Sequence, residues 1–205
     1  MARRDESRAL TFPTESALCM LESVLAQNGY RWLLTALVTA VALGLLGPIV
    51  IDLEQDLPLS LQSLLVCWLP LMFGWRAGVA GVLAYLMAGT LGLPVFAGHR
   101  AGLDIIAGPT GGYLLGMPVA ALVLGAMASE TPEDTSDRNR YVRIGIGMIL
   151  GHIIILAMGI PWQRQVQPDL DLMALAEKLY RPLLLKSALG VLLSVLVMRM
   201  AAPRA

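Results

Sequence analysis

Residues 111–128 read GGYLLGMPVAALVLGAMA, a run of eighteen residues that contains no charged side chain. A helix needs about 17–25 mainly apolar residues to cross a bilayer whose hydrocarbon core is about 30 Å thick. This run has the required length, and its apolar residues are not confined to one face as they are in a surface helix of a soluble domain. It therefore predicts a helix that lies inside a membrane.

Five further apolar stretches flank this run, and the composition supports the same interpretation. Hydrophobic residues make up 57% of the chain, charged residues make up 15%, and the mean hydropathy is +0.69. Soluble domains contain about 25% charged residues. The second stretch is short and contains Pro70, so a re-entrant segment is an alternative there. The chain is thus predicted to be an all-α integral membrane protein with six transmembrane helices in contact with lipid. The predicted spans are 32–51, 59–73, 78–96, 111–128, 144–160 and 183–200.

The residues before the first span differ from the rest of the chain. Residues 1–30 are polar to amphipathic and are predicted to form a cytoplasmic extension of the six-helix membrane domain, residues 31–205. In this extension Thr14 is expected to cap a short amphipathic helix that ends at Asn28-Gly29. Loops on the N-terminal side carry twice as many basic residues as the others, so both termini are predicted to be cytoplasmic. That side receives Arg3, Arg4, Arg8, Arg31, Arg76, Arg138, Arg140, Arg143, Arg199 and Arg204, and the other side Arg100, Arg164, Lys178, Arg181 and Lys186.

Several functional classes lack support in the sequence. The formal net charge is zero, which gives no reason to expect a nucleic-acid partner. Cys19 and Cys67 are isolated, so neither a zinc site nor a disulfide framework is predicted. There is no P-loop, HExxH or GxSxG motif, and His152 is predicted to be a structural residue rather than a catalytic base. We expect no catalytic residue, no metal and no cofactor.

Small residues recur at every fourth position in several spans. The first span contains Ala36, Ala40 and Gly44, and similar ridges occur in the third and fourth spans. Such a stripe lets another backbone approach closely and gain van der Waals contact in lipid. Packing among the six helices and docking of a partner protein are both consistent with this pattern.

Residues suited to ligand binding gather at the predicted outer ends of the spans. A cation inside a bilayer is costly, so Lys186 is expected either to reach the interface or to pair with an anion in a cavity. Aromatic walls, an amide and one or two cations suit a mainly apolar ligand that carries a carboxylate. The candidate ligand-binding residues are Gln62, Tyr85, Phe96, Arg100, Asp104, Tyr113 and Lys186.

Three motifs resemble those of a known family. They are PLSLQ at 58–62, GLPVFAG at 92–98 and GPTGGYLLG at 108–116. Together they resemble the BioY family, the biotin-binding S components of energy-coupling-factor (ECF) transporters. The resemblance covers about residues 33–128 well and the last two spans more loosely.

The resemblance implies an S-component fold of six helices with a vitamin site near the extracellular face, in the plasma (inner) membrane of a bacterium. It implies a transmembrane T component and a pair of ATPases as partners, with Ala36 and Ala40 in the motif that docks on the T component. It also implies that the chain is a transporter subunit and not an enzyme. The residues then expected at or near the ligand are Gln62, Tyr85, Arg100, Tyr113 and Lys186, with Arg100 and Lys186 as the charged candidates.

The sequence departs from the family pattern at Leu183. Family members typically begin the last span with a Pro-Gly-Asp-x-x-Lys-like element, whereas this chain reads RPLLLK at 181–186. Lys186 is retained, but Leu183 stands where the Asp would be. Asp104 or Gln163 is a candidate replacement for the lost acceptor. Leu183 leads to one alternative to biotin binding, a different carboxylated vitamin or biotin precursor as ligand. The small-residue ridges lead to another, a membrane scaffold without a ligand.

Overall fold

A computed structural model of the chain describes residues 14–52, 58–129 and 137–201. These residues form seven helices and one antiparallel pair of short strands, in which Val50 lies opposite Ser60. One helix of at least thirteen residues lies over each of the six predicted spans, so the predicted all-α architecture is confirmed. The elements are α1 (Thr14–Leu46), β1 (Val50–Asp52), β2 (Pro58–Ser60), α2 (Leu61–Phe73), α3 (Trp75–Thr90), α4 (Leu103–Ala107), α5 (Gly111–Ser129), α6 (Asp137–Val166) and α7 (Leu172–Ala201).

Three of these helices are long and apolar enough to cross a membrane. They are Gly111–Ser129, Arg138–Val166 and Leu172–Met200, with hydropathies of 1.7, 2.1 and 1.9. Tyr30–Leu46 and Leu61–Phe73 are apolar but shorter. At 1.5 Å per residue α2 is only about 20 Å long, less than the thickness of the hydrocarbon core. The predicted shortness of the second segment is therefore confirmed.

The predicted ends of the first and third spans are wrong. Helix α1 ends at Leu46 rather than continuing to residue 51, because Gly47 is followed by Pro48, and a residue before proline disfavours the helical conformation. Helix α3 ends at Thr90 rather than at residue 96, and Gly92 just beyond it adopts a φ of 102°. After α1 a turn leads into strand β1, and after α3 a turn replaces the last predicted helical residues.

The segment 161–182, which joins the fifth and sixth predicted spans and is therefore expected to be a loop, is mostly helical. Helix α6 continues through Pro161 to Val166, and α7 already begins at Leu172. Asp171 starts α7, since its Oδ1 accepts hydrogen bonds from the backbone N of Met173 at 2.8 Å and of Ala174 at 3.3 Å. Asp171 is therefore the N-cap of α7. The charged residues and prolines of the segment 161–182 made this helix start hard to predict from the sequence.

The predicted helix stop at Asn28-Gly29 is also wrong. Helix α1 runs without a break from Thr14 to Leu46. A glycine inside a helix costs only about 1 kcal/mol, less than the loss of backbone hydrogen bonds in apolar surroundings. Residues 1–13 lie outside the described residues, and the division into an extension of 1–30 and a domain of 31–205 stays a prediction.

Helix α2 lies at the centre of the bundle. Residues 64–70 are all buried, and α2 contacts α1, α3, α5, α6 and α7. Glycines allow this close packing; a Cβ on Gly151 of α6 would lie only 2.7 Å from Cys67 Sγ. A hydrogen bond of 2.8 Å from Trp68 Nε1 to Ser194 Oγ joins α2 to α7.

The outward surface of the bundle is apolar. Helix α1 exposes 60% of Leu37 and 56% of Val38, and α7 exposes 64% of Leu192 and 55% of Leu196. A contiguous apolar surface of this kind is unfavourable in water and suits contact with lipid. The polar side chains that line a cavity lie instead toward one end of the bundle.

Candidate ligand-binding site

A cavity of about 630 Å³ opens at the end of the bundle where α2, α5 and α7 begin and α6 ends. Its wall also includes the loop at 96–100 and part of α4. Most of the lining is apolar, which is typical of small-molecule sites, and a limited number of polar side chains face it. The polar and charged lining residues are Ser60, Gln62, Ser63, Arg100, Thr110, Tyr113, His152, Gln163, Lys178 and Lys186.

Lys186 supplies a buried cation to this cavity. Its side chain is only 8% exposed, and its Nζ donates a hydrogen bond of 2.9 Å to Ser63 Oγ on α2. No carboxylate among the described side chains forms an ion pair with it. The side chain thus points inward rather than toward the membrane surface, and its ammonium group retains donors for a further partner.

Gln62 joins the beginning of α2 to the loop at 96–100. Its Oε1 accepts a hydrogen bond of 3.2 Å from the backbone N of Ala97, and its Nε2 lies 3.4 Å from Met117 Sδ. The residue is 4% exposed and lines the cavity. Sulfur is a weak acceptor, so the amide group of Gln62 can still donate to a ligand.

Phe96 and Tyr85 form the aromatic wall in two layers. Phe96 lines the cavity, whereas Tyr85 is not among its lining residues. The two rings meet edge to face, with centroids 5.7 Å apart and planes at 82°, and the Tyr85 hydroxyl donates to Val95 O at 3.1 Å. Tyr85 therefore supports Phe96 from behind, and contact between Tyr85 and a ligand stays a prediction.

The exposed rim of the cavity carries Arg100. Its Nε donates to Ala97 O at 3.0 Å, and its own carbonyl accepts from Phe96 N at 3.0 Å, so this short loop is closed on itself. The preceding His99 has a φ of 58°, in the left-handed region. Asp104 is exposed on α4 and is not a lining residue, so its predicted role at the ligand also stays a prediction.

Tyr113 and Gln163 form a polar pair in the cavity wall. The Tyr113 hydroxyl donates to Gln163 Oε1 at 2.7 Å, and Gln163 Nε2 reaches Gln167 Oε1 at 3.3 Å. Both residues of the pair line the cavity. Of the two candidates to replace the acceptor missing at Leu183, Gln163 is at the site, and Leu183 itself is part of the lining.

His152 and the first turns of α7 line the cavity but were not among the predicted site residues. His152 is 5% exposed, and its Nδ1 lies 2.7 Å from Met148 O. Lys178 and Leu179 escaped prediction because the segment 161–182 was interpreted as a loop. The sequence did contain an indication for His152, since a buried imidazole in an apolar span needs a polar partner for its ring nitrogens.

The small residues of α1 face a neighbouring helix. Ala36 is 8% exposed, and a Cβ on Gly81 of α3 would lie 2.9 Å from Ala36 O. Ala40 is half-buried. In this conformation Ala36 serves packing between α1 and α3, and its role in docking a partner stays a prediction.

Comparison with known proteins decides the family. The model of the BioY family matches residues 20–205. The chain belongs to the BioY family. The resemblance drawn from the three sequence motifs is thereby confirmed, and it extends over the last two spans.

Curated relatives of this BioY protein carry the names of transporters. A protein of Rhizobium etli named "Biotin transporter BioY" is 38% identical over 133 residues, which are 63% of this chain and 71% of the relative. A protein of Rhodobacter capsulatus with the same name is 40% identical over 126 residues, or 58% of this chain and 60% of the relative. The family and the apolar helices together show that the chain is a membrane protein.

The fold of this BioY protein matches a solved structure. The crystal structure of an S component for biotin from an ECF-type ABC transporter superposes with a TM-score of 0.70, covering 86% of this chain and 94% of that one. Sequence identity is 23%, so the likeness concerns the fold. The predicted S-component fold is thus confirmed.

Proposed function

We propose that this chain is the substrate-capture component of a vitamin uptake transporter and that it binds biotin. The observation that carries the proposal is the buried ammonium group of Lys186, which lines the cavity and pairs with no described carboxylate. Removing a cation from water costs several kcal/mol unless another group compensates. A ligand that brings an oxygen acceptor supplies that compensation.

The rest of the cavity suits the other parts of biotin. Biotin combines an apolar sulfur-containing ring and a short aliphatic chain with a cyclic urea and a carboxylate. Phe96 and the apolar lining fit its ring and chain, while Lys186 and Arg100 offer two cations at different depths. A volume of about 630 Å³ lies within the range of small-molecule sites, about 300–1,000 Å³. The names of the relatives support this ligand.

The membrane arrangement forms part of the proposal. The six helices α1, α2, α3, α5, α6 and α7 are placed across the plasma membrane of a bacterium, with both termini in the cytoplasm and the cavity at the extracellular end. The distribution of Lys and Arg supports this orientation. The short helix α2 is enclosed by its neighbours rather than by lipid, which makes its length tolerable.

Energy coupling is proposed to come from partners. A transmembrane T component and two ATPases are expected to bind the chain, and α1 is the proposed docking element. Its Ala40 is half-buried, whereas Ala36 is covered by α3, so docking on this stripe requires the partner to approach beside α3. The exposed Leu37 and Val41 on the same helix offer additional apolar contact.

A second candidate keeps the fold and changes the ligand. Leu183 lines the cavity and cannot accept a hydrogen bond from the ligand, which favours a biotin precursor or another carboxylated vitamin. A scaffold without a ligand is not favoured, since the cavity beside Lys186 is open.

Calorimetric titration of the detergent-purified protein with biotin, dethiobiotin and lipoate tests these candidates. Saturable binding of biotin supports the proposal, binding of dethiobiotin or lipoate but not of biotin supports the second candidate, and binding of none supports the scaffold. Lys186→Met should weaken biotin binding by about tenfold to a hundredfold through loss of a charged hydrogen bond. Arg199→Met is the matched control, because Arg199 lies in the last turn of the same helix and should leave affinity unchanged.

A further inference from the structure

His152 carries an unused hydrogen-bond acceptor and lines the same cavity as the buried cation Lys186. Its Nδ1 is 2.7 Å from the carbonyl oxygen of Met148. A carbonyl only accepts, so the proton of a neutral imidazole must reside on Nδ1, which leaves Nε2 with a bare lone pair. Nε2 is buried and finds no partner among the described residues, while the His152 ring lines the cavity.

The surroundings favour the neutral form of this imidazole. Lys186 lines the same cavity and already carries a positive charge there. The other titratable lining residues are Arg100, Tyr113 and Lys178, and no carboxylate is found in the described lining. A second positive charge in such surroundings is unfavourable, because burial and like charge both oppose it. His152 therefore presents an acceptor and Lys186 a donor.

We infer that His152 Nε2 accepts a hydrogen bond from an N–H of the bound ligand while Lys186 donates to the adjacent carbonyl oxygen. This inference rests on the proposed function and assigns the closed end of the cavity to an amide or urea group. A carboxylate fits this donor–acceptor pair poorly, since an ionised carboxylate has no proton to donate. The carboxylate of the ligand is then left to Arg100 at the exposed rim.

The two amide acceptors that line the cavity are already engaged. Gln62 Oε1 accepts from the backbone of Ala97, and Gln163 Oε1 accepts from the Tyr113 hydroxyl. Ser187 Oγ is the other buried atom without a partner in the described residues, but Ser187 is not a lining residue. Among the buried side-chain atoms of the described residues, His152 Nε2 is thus the acceptor on a lining residue that has no partner.

The test is a double-mutant cycle of binding affinities, in which one change is made in the protein and the other in the ligand. His152→Phe keeps a planar ring of similar size and removes the acceptor, and it should weaken biotin binding by about tenfold to a hundredfold. Biotin methylated on both urea nitrogens should lose affinity for the wild-type protein but much less of it for His152→Phe. Biotin methyl ester, which lacks the carboxylate charge, should show the same ratio to biotin in both proteins.

Controls separate this inference from the proposed function and from misfolding. His99→Asn is the matched control, because the chain has two histidines and His99 does not line the cavity. His152→Gln, which restores an acceptor, should recover part of the affinity. The inference is overturned if His152→Phe binds biotin as tightly as the wild type, or if it weakens binding of biotin and of the methylated ligand by the same factor. Failure of the wild-type protein to bind biotin would instead overturn the proposed function.

A spectroscopic measurement gives a second readout in the unaltered protein. With histidines labelled with ¹⁵N, His152 should show one protonated and one bare ring nitrogen without ligand. Addition of biotin should shift the bare Nε2 resonance as it accepts a proton donor. A bound-state spectrum in which both His152 nitrogens are unchanged would contradict the inference.

Discussion

Two polar bridges join α2 to α7, and they differ in whether their hydrogen bonds are complete. In the inner bridge, Trp68 Nε1 donates to Ser194 Oγ, which in turn donates to Gly190 O at 2.8 Å. In the bridge at the cavity, Lys186 donates to Ser63 Oγ, yet its ammonium group has further donors to satisfy. A polar network in which every hydrogen bond is made stabilises the fold, whereas a buried group with unused donors indicates that a binding partner is absent. The difference separates a structural pair from a binding site.

The largest expected effect is the loss of ligand-dependent stabilisation in Lys186→Met. A ligand that binds only the folded state raises the unfolding temperature by mass action, and this variant should lose most of that shift at moderate biotin concentration. Without biotin its unfolding temperature should be equal to or above that of the wild type, since replacing a buried charge by an apolar side chain is often neutral or stabilising. Thermal unfolding in detergent with and without biotin measures both. A large destabilisation without ligand would show that the cavity bridge is structural as well.

The inner bridge should respond in the opposite way. Ser194→Ala leaves the buried indole N–H of Trp68 without an acceptor, at a cost of about 1–3 kcal/mol in the free energy of unfolding. Biotin affinity should change little, because neither residue lines the cavity. Denaturant unfolding and calorimetric titration check the two parts. Weakened binding with unchanged stability would reverse the assignment of the two bridges.

A gain of affinity is expected from Leu183→Asp. Leu183 lines the cavity one turn before Lys186, so a carboxylate there adds an acceptor beside the cation. Biotin affinity measured by titration should rise several-fold, about the value of one additional hydrogen bond. Leu184→Asp is the control, since Leu184 is 57% exposed on the outer surface, and it should lower stability without improving affinity. Equal affinity of Leu183→Asp and the wild type would show that the site needs no acceptor at position 183.

The smallest effect should come from Ser63→Ala. Ser63 Oγ holds the Lys186 ammonium at 2.9 Å, but the ligand offers the same ammonium a replacement acceptor. We expect a decrease in biotin affinity of about threefold or less, in line with the modest net value of one hydrogen bond. Titrating Ser63→Ala and Lys186→Met with biotin under the same conditions allows the two decreases in affinity to be compared. A loss as large as that of Lys186→Met would mean that Ser63 itself contacts the ligand.

The sequence predicted the helical segments better than their ends. Uncharged runs such as 111–128 identify helices because a bilayer demands length and apolarity, and α5 follows that run closely. The ends depend on local chemistry: Gly47-Pro48 stopped α1 early, and the Asp171 cap started α7 inside a segment that looked like a loop. Hydropathy alone does not report such turns and caps.

The candidate site was also predicted only in part from the sequence. Gln62, Phe96 and Lys186 were found because a polar or aromatic residue beside an apolar run has few ordinary reasons to be there. The place of Tyr85 behind Phe96 depends on the packing of α3 against the loop, which no spacing rule describes. His152 was interpreted as a structural residue, and the contact of its Nδ1 with Met148 O agrees with that interpretation. That its Nε2 has no partner among the described residues could not be predicted, because it depends on how the surrounding helices pack.

The position of Lys186 also bears on how the chain enters the membrane. A lysine near the centre of an inserting helix costs about 2.5–3.5 kcal/mol at the translocon. Helix α7 offsets this cost with its many aliphatic residues, and its hydropathy of 1.9 remains high in spite of the cation. Only 22% of this apolar stretch is buried by protein, which leaves most of it available for contact with lipid. The leucines on the outer side of α7 thus have a role in biogenesis: they carry into the bilayer a charge that finds no anion among the described residues.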